Sequence, residues 1–150
     1  MARTEAGKFS VRRVSWDKEQ AALRAIRFQV FVVEQRVPVE LEWDGLDPRC
    51  VHVLAANANG GAIGTARLLP EGRIGRIAVL QAWRRNGVGS ALLHSLVKTA
   101  RARGSPHVVL HAQSHIVSFY AKHGFIAEGP EFTEAGIPHR AMRLDFDPRL

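Results

Sequence analysis

The chain has 150 residues, 46% of them hydrophobic and 23% charged, and a formal net charge of +7. That length fits one domain able to bury roughly 70% of the surface its unfolded chain exposes, with no need of staples. The composition argues against disorder, collagen-like repeats and a disulfide scaffold, and Cys50, the one cysteine, has no partner for an internal bridge. No run approaches the roughly 20 apolar residues of a membrane span, and the opening MARTEAGKFSVRR lacks a secretory core, so the expected setting is the cytoplasm.

Lys8–Val14 alternates Phe9, Val11 and Arg13 and reads as a strand. Asp17 with Gln20 three residues on has the pattern of a capping box. Ala22, Leu23, Ile26, Val30 and Val33 recur at helical spacing and predict one helix over Lys18–Val33. Pro38 and an acidic stretch follow as a loop with a short helical turn. Val51–Ala56, Ala62–Leu69 and Ile74–Leu80, separated by Asn57–Gly61 and by Pro70-Glu71-Gly72-Arg73, form a three-stranded antiparallel meander. Val88, Leu92, Leu93, Leu96, Val97 and Ala100 make an amphipathic helix ending near Gly104. His107–Ala112 is a buried strand, and Ile116, Phe119 and Tyr120 lie on a helix that stops at Gly124. Two closing strands follow, the last over Ala141–Phe146. The expected fold is mixed α/β: a single domain over 1–150, with one mostly antiparallel sheet of about seven strands flanked by helices.

Charge is segregated along this order. Glu34, Glu40, Glu42, Asp44 and Asp47 face one base, Arg36, within 34–47, whereas 67–103 holds eight bases against Glu71 alone. A basic half attracts phosphate, on nucleic acid or on a small cofactor, and an acidic cluster could attract a cationic amine. No nucleic-acid reader motif and no aromatic stacking platform accompany the bases.

The most informative segment is Arg84-Arg85-Asn86-Gly87-Val88-Gly89-Ser90, set between a strand and a helix. Helix-start amides lack intrahelical acceptors and carry partial positive charge. Gly87 permits backbone angles that other residues avoid, Gly89 leaves out a side chain that would hold an anion away, and Arg84 and Arg85 add formal charge. Together these predict a pyrophosphate cradle. The segment is not a P-loop, because it lacks Gly-Lys-[Ser/Thr], and its glycine spacing is not that of a Rossmann fingerprint.

Arg84-Arg85-Asn86-Gly87-Val88-Gly89 resembles the R/Q-x-x-G-x-G/A acyl-CoA loop of the GNAT superfamily of N-acetyltransferases, and the element order resembles that fold over almost the whole chain. Phe119-Tyr120-Ala121-Lys122-His123-Gly124-Phe125 is similar to a second segment of the family. The resemblance implies an acetyl-CoA-dependent transfer to a primary amine by direct attack. Ile77, Ala78 and Val79 would pair with the pantetheine arm through their backbone, and the amides of Arg85 to Ser90 would hold the pyrophosphate. A strand amide near Val79 would hold the oxyanion, and Tyr120, the only tyrosine, would protonate the leaving thiolate. Gln113 stands where the family often has Asn, one methylene longer, with Ile116 where a small residue is usual.

The general base stays open among Glu34, Glu42, Asp44, His52 and His139. The scattered histidines show no metal-ligand spacing, so no metal site is expected. The resemblance implies a small-molecule or peptide amine as acceptor, and the oligomeric state is left open, a homodimer included. Two alternatives stand beside this one. Ile26–Phe31, Glu42–Asp47 and Thr65–Pro70 are somewhat similar to acyl-homoserine lactone synthases on the same fold, and the loop could serve a non-catalytic CoA- or nucleic-acid-binding module.

Overall fold

The computed structural model describes residues 8–147; the first seven residues of the stretch searched for a secretory core lie outside it. The chain runs β1 (Phe9–Val14), α1 (Trp16–Arg27), a π-helical segment (Phe28–Glu34), α2 (Val39–Glu42), β2 (Val51–Asn57), β3 (Ala62–Leu68) and β4 (Arg73–Val79). It continues as α3 (Val88–Ala102), β5 (His107–Gln113), α4 (Val117–Ala121), β6 (Ile126–Glu134) and β7 (Ile137–Asp145). The strands form one seven-stranded sheet in the order β1-β2-β3-β4-β5-β7-β6, antiparallel throughout except for the parallel pair β4 and β5.

Both faces of the sheet are covered, which is why β2 and β3 are buried almost end to end instead of alternating. On one face α3 buries Val88, Leu92, Leu93, Leu96 and Ala100 against Val53, Ile63, Leu68 and Ile74. Gly64 permits this approach, because a Cβ there would stand 3.1 Å from Val88 Cγ1 and 3.2 Å from both the Ala78 carbonyl oxygen and Leu92 Cδ1. On the other face α1 sets Leu23 and Trp16 against Leu54 and Ala56, while Ile26 and Val30 meet Ala78. No helix among the described residues is long and apolar enough to cross a membrane.

Three local expectations need correction. The helix predicted over Lys18–Val33 is α-helical only to Arg27. From Phe28 it widens into π-helix, with the Gln35 amide donating to the Val30 carbonyl. The run Phe28-Gln29-Val30-Phe31-Val32-Val33, mostly β-branched or aromatic, crowds a regular α-turn, and apolar spacing cannot distinguish the two windings. The helix also starts earlier than the Asp17–Gln20 box implies. Ser15 is the N-cap, its carbonyl accepts from the Glu19 amide, and no side chain caps the end. Burial of Trp16 sets that start and leaves Asp17 in the first turn. Finally, the last strand begins at Ile137, four residues before the expected Ala141, because Ala135 (φ 53°) and Gly136 (φ 77°) make a two-residue hairpin turn.

Candidate active site

The sheet divides at its centre. β4 and β5 are paired only at Arg73–Val109 and Ile74–Leu110, and beyond those pairs the two strands part. A cleft of about 740 Å³ fills the gap, lined on the β4 side by Gly75 to Val79 and on the β5 side by His111 and Gln113. β4 also carries a bulge, since Thr65 pairs with Ala78 but Arg67 pairs with Gly75, and Arg76 takes a left-handed φ of 53°. The Leu80 amide donates to the Ile63 carbonyl on β3. Strand alternation therefore turns the amide and carbonyl of Val79 away from β3 and toward the cleft.

The loop after β4 ends in an unusual helix start. Arg85 (φ 67°) and Gly87 (φ 81°) are both left-handed, and Gly87 is the N-cap of α3. The first helical bond runs from the Ala91 amide to the Gly87 carbonyl. Among the described residues nothing accepts from the amides of Arg85 to Ser90, so six consecutive donors stand unbonded where the helix dipole is positive. Asn86 Nδ2 fixes the loop by donating to the carbonyls of Trp83 (3.2 Å) and Arg84 (3.1 Å).

Two details depart from expectation. A Cβ on Gly89 would rest in ordinary contact with Phe119 Cζ at 3.6 Å and Val79 Cγ2 at 3.9 Å, so it would face these side chains and not the anion's approach. Arg84 turns away from the amides: its Nε donates to the Val79 carbonyl (3.0 Å) and its Nη2 meets both oxygens of Glu34 (3.0 and 2.8 Å). Formal charge beside the amides is left to the exposed Arg85.

Tyr120, on α4, is 7% exposed, lines the cleft, and packs edge-on against Phe119 and Phe125. Burial pushes its phenol up to about 12, so it stays protonated over the physiological range. Gln113 donates from Nε2 to Gln35 Oε1 at 2.9 Å, tying β5 to the end of the π-helical segment across the cleft.

The base candidates are dispersed. Glu42 and Asp44 line the cleft but belong to an ion network with three buried or half-buried arginines. Arg27 donates to Glu42 (2.7 Å) and Asp47 (2.6 Å), Arg67 holds Asp44 and Asp47, and Arg76 lies 3.1 Å from Glu42 and 3.3 Å from Asp44. Burial pushes the Glu42 carboxyl up in spite of Arg76 and Arg27. Burial acts the same way on Asp44, but the hydrogen bonds from Arg67 and the Leu46 amide and the charges of Arg67 and Arg76 together outweigh it and hold that carboxyl well below the usual carboxylate range. Three guanidiniums face three carboxylates, so the formal charges within this network balance. Glu34 is held by Arg84. His52 lies outside the cleft, stacked on Trp16 at 5.1 Å and bonded through Nε2 to the Asp47 carbonyl at 2.9 Å; burial pushes its pKa down. His139 does line the cleft, with Nδ1 donating to the Ile137 carbonyl at 2.7 Å.

The structure adds residues that sequence reasoning missed. Arg27 sits four residues after Leu23 on the apolar face of α1, a charge in a buried stripe that signals a buried partner. His111 shares a strand face with Gln113 by the two-residue period of β5, and its Nδ1 lies 2.9 Å from Glu134 Oε1.

A family model described as an acetyltransferase (GNAT) domain matches residues 18–146. The uncharacterized N-acetyltransferase YjcF of Bacillus subtilis is 37% identical over 124 residues, covering 80% of this chain and 88% of its own. Among solved structures, an acyl-CoA N-acyltransferase from Pseudomonas aeruginosa is 33% identical with a TM-score of 0.77, over 91% of this chain and 98% of its own. ElaA of Escherichia coli is 29% identical with a TM-score of 0.83, over 92% and 100%. With the family model matched over most of its length, this chain belongs to the GNAT acetyltransferase family.

Proposed function

We propose that the protein transfers the acetyl group of acetyl-CoA to a primary amine, carried by a small molecule or a peptide, with both substrates bound together. The observation that carries this is the run of six unbonded amides from Arg85 to Ser90, directly after Arg84 of a cleft lining that also includes Val79 and Tyr120. Those amides suit a pyrophosphate. The cleft-facing backbone of Val79 and its neighbours Ile77 and Ala78 suits the amides of a pantetheine arm, which would displace the Arg84 side chain from the Val79 carbonyl.

When bound, the thioester supplies an activated acyl carbon and a thiolate leaving group. The Val79 amide takes the negative charge that develops on the carbonyl oxygen. Tyr120 gives its proton to the departing sulfur and recovers one from the amine nitrogen. A buried phenol near 12 is a weak acid, but a thiolate released into the same desolvated space is also more basic than in water, so the transfer stays matched. Alkyl amines have a pKa near 10.4 and arrive protonated, so a base must remove one proton before attack.

Calorimetry with acetyl-CoA, followed by thiol-release assays across a panel of amines, tests the proposal. Saturable binding and amine-dependent thiol release are expected. Absence of binding at millimolar acetyl-CoA would overturn it.

A further inference from the structure

The cleft holds a second polar cluster, built by strand register at the point where the sheet parts. His111 is the first β5 residue beyond the last β4 pairing, at Leu110. Gln113 pairs with His139 and His111 with Ala141, while Phe132 pairs with His139 and Glu134 with Ile137. The two-residue period therefore puts His111, Phe132, Glu134 and His139 on one face of the sheet. Phe132 wedges the rings, edge-on to His111 at 5.0 Å and stacked on His139 at 6.0 Å.

Glu134 serves both imidazoles: Oε1 is 2.9 Å from His111 Nδ1 and Oε2 is 3.8 Å from His139 Nε2. The two rings are not equivalent. His139 is 7% exposed and donates Nδ1–H to the Ile137 carbonyl, while its Nε2 lies 3.8 Å from Glu134, too far for a hydrogen bond. His111 uses only Nδ1, which faces Glu134 and, at 3.0 Å, Arg73 Nη2. Its Nε2 has no protein partner among the described residues, and the ring is partly exposed to the cleft.

Resting on the acyl-transfer function proposed above, we infer that His111 Nε2 is the base that deprotonates the acceptor amine, with Glu134 as the positioning residue that sets its tautomer. Donation of Nδ1–H to Glu134 leaves the lone pair on Nε2, whereas acceptance from Arg73 would put the proton there and block it. Burial pushes the Glu134 carboxyl up, but the hydrogen bond from His111 and the charges of His111, His139 and Arg73 outweigh it and keep Glu134 ionised for this task. The groups facing His111 are thus Arg73 from β4, Glu134 from β6 and His139 from β7, and His115 lines the same cleft.

The proton balance closes. Nε2 takes one proton from the ammonium, and the C–N bond forms as the C–S bond breaks. The sulfur leaves with the Tyr120 proton, Tyr120 takes the remaining excess proton from nitrogen, and His111 releases one proton to solvent per turnover.

The test is the pH profile of kcat/KM for thiol release from acetyl-CoA with a basic primary amine, and with a fluorinated analogue already neutral at assay pH. His111→Gln is expected to lose 100- to 1,000-fold with the basic amine and to lose the acid limb of the profile. It should keep most of its rate with the neutral analogue and bind acetyl-CoA as the wild type does. Glu134→Gln is expected to move the acid limb to lower pH, because a carboxylate beside an imidazole favours its charged form, and it supplies the test should His111→Gln fail to fold. Wild-type turnover with an unchanged acid limb in both variants overturns the dyad alone. No wild-type turnover with any amine overturns acyl transfer and the dyad together.

Discussion

Arg27 is the residue whose loss should be felt most widely. It is 1% exposed, and its guanidinium donates to Glu42 at 2.7 Å, to Asp47 at 2.6 Å and to the Glu42 carbonyl at 3.3 Å, with its face over Trp43 and Trp16. Arg27→Met keeps most of the apolar stem but leaves Glu42 and Asp47 with one partner fewer in a buried site. Removing one member of such a network costs about 3–5 kcal/mol. For a chain of this length that is a fall of roughly 6–20 °C in Tm. The loss should also depend on pH in a defined direction. In the wild type Asp47 is held below its ordinary range, so its contribution to stability is present above about pH 4 and fades as pH falls. In the variant Glu42, already pushed up by burial, loses one of the charges that hold it down. A carboxyl raised in the folded state costs stability above its folded pKa, and that cost disappears as pH falls through it. The gap between wild type and Arg27→Met should therefore narrow from pH 7 to pH 4. Urea melts across that range, with Arg27→Lys as the milder variant, measure it. A loss under 1 kcal/mol at pH 7, or a gap that widens in acid, would refute the buried network as described.

Two glycines of the α3 interface should part company. Gly64→Ala forces a Cβ to within 3.1–3.2 Å of Val88, Ala78 and Leu92 and should cost about 1–3 kcal/mol, whereas Gly89→Ala places its Cβ in ordinary contact at 3.6 Å and should melt within a degree or two of the wild type. Tyr120→Phe should lower kcat for thiol release by at least 100-fold with little change in acetyl-CoA affinity. Because burial holds the phenol near 12, the wild-type profile should show no alkaline loss from Tyr120 ionisation below about pH 11 in steady-state assays.

The order of strands and helices was legible because each element carries its own period: Leu92, Leu93, Leu96 and Ala100 at helical spacing on α3, and strands bounded by Asn57–Gly61 and Pro70–Arg73. Gly87 was legible too, since a left-handed N-cap demands the residue found there. What local sequence could not show was long-range geometry. Arg27 meets carboxylates 15 and 20 residues away, Arg67 reaches back 20 and 23, and Arg84 finds Glu34 across 50. An acidic stretch and a basic half that look segregated along the chain are partly interleaved in space, with Arg67, Arg76 and Arg84 paired to Asp44, Asp47, Glu42 and Glu34. The parting of β4 from β5 was equally hidden, because those strands are joined through α3 and no residue of either announces where the pairing ends.

The central claim is that the peptide amides of Arg85 to Ser90 grip a diphosphate. Amide NMR titration reads it directly: coenzyme A should move the resonances of these six residues most, while pantetheine, which lacks the phosphates, should leave them in place and shift Ile77 to Val79. Equal responses to both compounds, or coenzyme A shifts confined to other loops, would contradict it.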